Sequence, residues 1–188
     1  MSKKIKFLKE ALKNYKTSGT LVPSSRFLAN KMLNNINFSE AKVIVELGPG
    51  NGAITKNILK RLAPEAVLIC FEINNTFYKE LQDIKHTQLI VIKESAENII
   101  IEIEKLGFQE VDSIVSSLPL SIIPKQVSNK ILSNSYFVLK TNGIFIQYQY
   151  SLSYLKKLKT VFGKNITLDF EKFNFPPAFI YKCVKKNV

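Results

Sequence analysis

From residue 43 onward, short runs that are almost wholly apolar alternate with segments whose apolar positions recur every three to four residues. Residues 43–47, 67–71 and 89–92 read as strands, and residues 113–115 open a fourth. Residues 143–150, 166–173 and 178–184 read as three more. The intervening stretches, 53–62, 75–85, 96–106, 124–139 and 152–162, carry the helical period. Strands alternating with helices build βαβ units and a mostly parallel sheet. Strands apolar on both faces belong where helices cover both sides. Asn174-Phe175-Pro176-Pro177 joins the last two strands and is short enough for a hairpin. The expected fold is therefore α/β: a seven-stranded, mostly parallel Rossmann-like sheet with an antiparallel last strand and helices on both faces.

The first residues follow another pattern. At 100° per residue, Ile5, Leu8, Leu12 and Tyr15 form one stripe, with Phe7 and Ala11 on its edge. Lys6, Lys9, Lys13 and Lys16 lie to one side and opposite, and Lys4 is out of pattern. This reads as a short basic amphipathic helix. Residues 1–32 hold eight Lys/Arg against one acid, so they carry +7 of the net +12. The chain divides on this reading into a basic amphipathic segment, 1–32, and a domain, 33–188. Such a helix either packs on the domain with its lysines solvated or lies on an anionic surface. On anionic lipid each lysine would add roughly 1 kcal/mol. A membrane surface is the favoured partner, nucleic acid ranks second, and no obligate protein partner is expected.

With 188 residues, 46% hydrophobic and 22% charged, the chain has ordinary globular composition and room for one substantial core. No apolar run approaches the ~20 residues of a spanning helix, and no secretory signal stands at the start. The expected location is cytoplasmic with peripheral membrane association. Cys70 and Cys183 each lie in an apolar strand and read as free buried thiols. His86, the only histidine, falls near a helix end. No metal-ligand spacing occurs, so zinc chemistry and histidine triads are disfavoured and no metal is expected.

The chemistry concentrates after the first strand. Glu46-Leu47-Gly48-Pro49-Gly50-Asn51-Gly52 is a buried strand end running into a glycine-rich turn and a helix. Glycines there permit a sharp turn and close approach of a ligand beyond the carboxyl ends of the strands. Gly48-x-Gly50-x-x-Ala53 would also serve a dinucleotide. Glu46, two residues before the first glycine, and the Gly-Pro-Gly-Asn-Gly form resemble motif I of S-adenosylmethionine-dependent methyltransferases. Glu72, followed by Ile73, ends the second strand, where a carboxylate can accept both ribose hydroxyls. Ser95-Ala96 stand where such enzymes touch the adenine edge. Ser116 closes the fourth strand, followed by Ser117-Leu118-Pro119-Leu120. Adenine-N6 methyltransferases carry Asn/Asp-Pro-Pro-Tyr or Asn-Leu-Pro-Tyr here, holding and stacking a flipped base. Ser117 in place of the amide and Leu120 in place of the aromatic suit a more apolar substrate.

The chain resembles the bacterial phospholipid N-methyltransferases, relatives of the rRNA adenine dimethyltransferases, over nearly its whole length. Five segments carry the resemblance in order. They are residues 19–29 (GTLVPSSRFLA), Glu46 to Gly52, Ser116 to Leu120, Gln147-Tyr148-Gln149-Tyr150, and Asn174-Phe175-Pro176-Pro177-Ala178. Ser117 and Ser151 replace glycines of the pattern, and Phe173 replaces an arginine. The resemblance implies a class I fold and S-adenosylmethionine as methyl donor, with S-adenosylhomocysteine as product. It implies methylation of phosphatidylethanolamine toward phosphatidylcholine. The cofactor would be held by Glu46, Leu47, Gly48, Pro49, Gly50, Asn51, Gly52, Glu72, Ile73, Ser95, Ala96 and Ser116. Transfer would occur at Ser117, Leu118, Pro119 and Tyr150. Tyr15, Ser24, Ser25, Arg26, Leu120, Tyr148 and Asn174 would meet the lipid, with Arg26 suited to its phosphate. The alternative is an rRNA adenine-N6 dimethyltransferase. No residue stands out as a general base.

Overall fold

The computed structural model describes residues 25–186. Its elements in chain order are α1 (Arg26–Leu33), β1 (Val43–Leu47), α2 (Thr55–Leu59), β2 (Val67–Phe71), α3 (Asn75–Gln82) and β3 (Leu89–Ile92). A 3₁₀ turn (Ala96–Asn98) leads into α4 (Ile99–Lys105), followed by β4 (Val111–Ser116), α5 (Lys125–Val138) and β5 (Leu139–Gln149). A second 3₁₀ turn (Leu152–Tyr154) opens α6 (Leu155–Phe162), and β6 (Ile166–Glu171) and β7 (Ala178–Val184) follow. The strands form one sheet in the order β3-β2-β1-β4-β5-β7-β6. Strands β1 to β5 run parallel, while β7 is antiparallel to both β5 and β6. The structure is the seven-stranded Rossmann-like architecture that the sequence predicts.

Alternation along each strand divides the core in two. Val45, Leu47, Ile69, Phe71, Ile114 and Phe145 meet Ile99, Ile103, Ile131, Leu132 and Leu158 from α4, α5 and α6. On the opposite face Ile44, Leu68, Cys70, Val115, Ile146 and Ile180 meet Ile58 and Leu59 of α2 and Leu28, Ala29, Met32 and Leu33 of α1. Each large apolar side chain so buried contributes roughly 1.5–3 kcal/mol. Because these four α1 residues are buried, the predicted boundary at 32/33 falls inside one packed helix rather than at a break in packing.

α1 is tied to the β6–β7 hairpin at both ends. Ser25 Oγ accepts from the Leu28 amide as N-cap, and the Ser25 amide donates to Asn174 Oδ1 at 3.0 Å. At the other end Lys31 Nζ donates to the Phe170 carbonyl at 2.6 Å and pairs with Asp169 at 3.1 Å.

Several boundaries differ from the pattern-based ones. The helix expected over 53–62 shortens to Thr55–Leu59, since residues 51–54 remain in turns after the glycines. Residues 96–106 and 152–162 each begin with a 3₁₀ turn. β5 starts at Leu139, directly after α5, and bends where Asn142 takes φ 63° and the register with β4 shifts. A Cβ on Gly143 would stand 2.8 Å from the Lys140 carbonyl, so only glycine fits that bend.

The parallel strands all end on one edge. There lie residues 48–52 after β1, Glu72 after β2, Ser95 after β3, residues 117–120 after β4 and Tyr150 after β5. Phe179 pairs with Gln149, which brings the 172–177 turn to the same edge. Among the described residues, no helix is long and apolar enough to cross a membrane.

Candidate active site

β1 delivers Leu47 into a turn in which Gly48, Gly50 and Gly52 take φ values of 69°, 59° and 80°. This is backbone that L side chains rarely adopt. The Gly48 amide donates to the Phe71 carbonyl at 3.0 Å, anchoring the turn to β2. Leu118 closes over it from the β4 side: a Cβ on Gly48 would stand 2.6 Å from Leu118 Cδ2. Phe77 of α3 lies beneath Gly50. Pro49 is buried and Asn51 exposed, its Oδ1 accepting from the Ala53 amide. Glu72 is 6% exposed; one carboxylate oxygen accepts from the Gly50 amide at 3.1 Å and the other from Asn74 at 2.7 Å. The acid therefore braces the turn while remaining at the strand end.

Glu46 lies fully buried beneath the turn. Its Oε2 accepts from Thr55 Oγ1 at 2.6 Å and from Cys70 Sγ at 3.5 Å, while Oε1 has no hydrogen-bond partner. Burial is the main cause that lifts its pKa from 4.5 to about 7, against the lowering effect of the Thr55 and Cys70 hydrogen bonds. The same burial, with Glu46 beside it, pushes the Cys70 thiol well up, so that thiol is held neutral. Cys70 and Cys183 are free and buried.

After β4, Ser116 is buried and its Oγ lies 3.4 Å from the Leu118 amide; Ser117 N–H donates to the Leu47 carbonyl at 2.9 Å. Residues 116–118 are thus pinned against β1 next to the glycine turn. The Leu118 carbonyl accepts from Gln147 Nε2 at 3.1 Å and Gln149 Nε2 at 3.3 Å. Gln147 also donates to the Tyr148 carbonyl at 2.6 Å, and its buried Oε1 has no partner. The sequence places these two glutamines in a segment of the family pattern but gives them no role in the site. The available signal was two polar positions, two apart, in an otherwise apolar strand, where a buried amide must find partners.

Ser117, Leu118 and Pro119 are half-buried on the site edge, and Tyr148 of β5 and Tyr150 just after it pack edge-to-face at 5.8 Å. Ile73 is half-buried next to Glu72, and Ser95 caps the 3₁₀ turn by accepting from Glu97, with Ala96 buried behind it. Leu120, expected at the substrate, is 1% exposed and packs in the core instead, because the chain turns inward after Pro119. Ser25 and Asn174, also expected at the substrate, hold α1 to the hairpin, with Asn174 Nδ2 donating to the Pro176 carbonyl at 2.7 Å. Arg26 is exposed, its guanidinium 5.0 Å from the Phe27 ring centroid. Tyr15 and Ser24 lie outside the described residues.

Residues 23–152 match the model of the ribosomal RNA adenine dimethylase family. The chain belongs to that family. Among family-related proteins, it is 29% identical to an ornithine lipid N-methyltransferase of Singulisphaera acidiphila, over 94% of this chain and 93% of the relative. It is 23% identical to the ribosomal RNA small subunit methyltransferase A of Ureaplasma parvum, over 70% of this chain and 53% of that protein. The fold is shared with a structure from Listeria monocytogenes described as an S-adenosylmethionine dependent methyltransferase: TM-score 0.64, 13% identity, 84% of this chain and 97% of that one.

The protein is an S-adenosylmethionine-dependent methyltransferase. Its residues fit that cofactor: three left-handed glycines place no side chains of their own on the turn, and Glu46 holds a buried oxygen without a partner among the described residues. Glu72 stands at the strand end where a nucleoside ribose is recognised. When bound, S-adenosylmethionine supplies an electrophilic methyl group on a sulfonium.

Proposed function

We propose that this family member methylates the amine of a membrane lipid head group, phosphatidylethanolamine or an amine-bearing lipid of similar reach. The observation that carries the reading is the 116–120 segment. Where a base-methylating site needs an amide and an aromatic, this chain has Ser117, a half-buried Leu118 and a core-packed Leu120. Nothing aromatic extends from that segment to stack a base. The full-length relationship to an ornithine lipid N-methyltransferase supports the same reading.

The chain's own part in the chemistry is to orient and to desolvate. A primary amine with a pKa near ~10 is mostly protonated at pH 7 and must lose its proton before it can react. Apolar surroundings favour the neutral amine, and Leu118 and Pro119 supply them. Gln147 and Gln149 fix the Leu118 carbonyl, so the loop next to the glycine turn is held in one geometry, and a fixed approach geometry accounts for much of such catalysis. The basic amphipathic stretch at 5–16 would bring the enzyme to anionic lipid, and Arg26 would face the lipid phosphate.

The test is a parallel incubation with methyl-labelled S-adenosylmethionine. Vesicles of phosphatidylethanolamine, vesicles of ornithine lipid, rRNA and small soluble amines are offered separately. Label in either lipid fraction supports the proposal and decides the head group. Label confined to RNA overturns it in favour of the second reading, rRNA adenine methylation, which the family model favours.

A further inference from the structure

Ten large apolar side chains are exposed among the described residues; Ile101, Leu106, Phe137, Leu168 and Phe170 lie along or just after α4, on α5 and on β6, and the other five gather in one place. Phe27, Ile122, Leu152, Phe173 and Phe175, at 43%, 43%, 45%, 64% and 79% exposure, all lie on the carboxyl edge of the sheet. Phe27 is in the first turn of α1, beside the hairpin to which Ser25 is bonded. Ile122 follows β4, Leu152 follows β5, and Phe173 and Phe175 occupy the β6–β7 turn. The Phe27 and Phe173 rings are 5.5 Å apart. A single exposed apolar residue needs no explanation, but a cluster on one edge marks a contact surface.

Cations stand against two of these rings. Arg26 sits 5.0 Å from the Phe27 centroid and Lys172 Nζ 4.9 Å from that of Phe173. The hairpin acids are engaged elsewhere: Asp169 and Glu171 face Lys31 at 3.1 and 4.0 Å, and Glu171 also accepts from the Phe173 amide. Exposed aromatic rings flanked by cations that form no ion pair among the described residues match the chemistry of a bilayer interface carrying anionic lipid. The same edge carries the glycine turn, Ser117 to Pro119 and Tyr150.

We propose that this aromatic rim, with Phe173 and Phe175 at its tip, enters the interfacial layer of an anionic membrane and presents the mouth of the active site to lipid. The proposal rests on the lipid-methyltransferase reading and concerns residues other than the basic stretch at 5–16. It gives the site a short route to its substrate, because the inserted rings and the Leu118 loop share one edge. A head group can then reach the loop while its acyl chains stay in the bilayer.

The sequence contains no tryptophan, so Phe175→Trp in the full chain is a sole indole reporter. Vesicles of phosphatidylethanolamine and phosphatidylglycerol are titrated in. The expected result is a blue shift on vesicle addition and quenching by brominated acyl chains. A Phe173→Ser/Phe175→Ser double variant should bind those vesicles at least tenfold more weakly. Its calorimetric affinity for S-adenosylhomocysteine and its turnover of a monomeric short-chain aminolipid should stay unchanged. Three results overturn the proposal: an indole that stays water-exposed with vesicles, one already shielded without them, or one whose shift follows protein concentration alone. The second would mean residues 1–24 cover the rim, and the third would mean a second copy does. Indole insertion without methyl transfer to any lipid removes the substrate reading and keeps the surface; transfer to lipid with no insertion does the reverse.

Discussion

Glu46→Gln tests the electrostatics beneath the cofactor turn. The carboxyl group is fully buried, with one oxygen bonded to Thr55 and Cys70 and the other bonded to nothing. Its pKa rises from 4.5 to about 7 because burial penalises the charge. Below about pH 4.5 both folded and unfolded chains hold the proton, and the site adds no pH dependence. Between about pH 4.5 and 7 the folded chain keeps the proton while the unfolded chain loses it, so stability falls as pH rises, at about 1.4 kcal/mol per unit. Above about pH 7 both states are ionised and the loss levels off. A gap of about 2.5 units corresponds to about 3 kcal/mol in all. The glutamine variant cannot ionise and lacks this loss. It carries instead the roughly constant cost of a buried amide N–H₂ short of a partner, about 1–3 kcal/mol. Urea unfolding followed by circular dichroism at intervals from pH 4 to 8.5 gives both curves. The difference, wild type minus variant, should be most favourable to the wild type at pH 4 and decline through pH 7, leaving the two nearly equal or the variant ahead at pH 8. Parallel curves across that range would refute the reasoning, and a decline of opposite sign would mean that the carboxylate is held as an anion.

Gly48→Ala should lower stability by about 1–2 kcal/mol through its left-handed backbone and push Leu118 away from the turn. Thermal melts of Gly48→Ala and of Gly48→Ala with Leu118→Ala should show the second change easing the crowding but not the backbone strain. Glu72→Ala should weaken S-adenosylhomocysteine binding by about tenfold or more, since it removes the strand-end acid and the brace on Gly50 together; calorimetry at constant pH reads it. Gln147→Leu should lower kcat with little change in calorimetric cofactor affinity, because it removes one of the two amides that hold the Leu118 carbonyl while leaving the glycine turn intact; an equal loss of both would place Gln147 in the cofactor site instead.

The strands and the cofactor turn were legible because they rest on local rules. Apolar runs of four to seven residues mark strands, and glycine takes the φ values at 48, 50 and 52 without the strain that side chains bring. Glu46 and Glu72 were found from their spacing to those glycines. What the sequence hid depends on three-dimensional partners. Ser25 and Asn174 read as polar groups near a substrate, and the sequence gives no sign that the Ser25 amide donates to Asn174 Oδ1 across 149 residues of chain. Leu120 read as a substrate contact because motif position alone does not say which way a loop turns. Gln147 and Gln149 draw their role from the Leu118 carbonyl, which no periodicity reveals. The helix at Arg26–Leu33 was merged with the basic stretch before it, since its lysine and arginine hid four core residues.

The strand order separates two jobs on one platform. On the proposed reading, β1, β2 and β3 with the glycine turn would hold the nucleoside of the cofactor, β5, β7 and β6 with α1 would frame the methyl acceptor, and β4 lies between the two groups of strands. α1 is strapped to the outer hairpin and also packs on α2, the helix that follows the glycine turn, so the two halves of the platform share one packed layer. A change of methyl acceptor would therefore have to preserve the α1–α2 contact and alter only residues that do not take part in it.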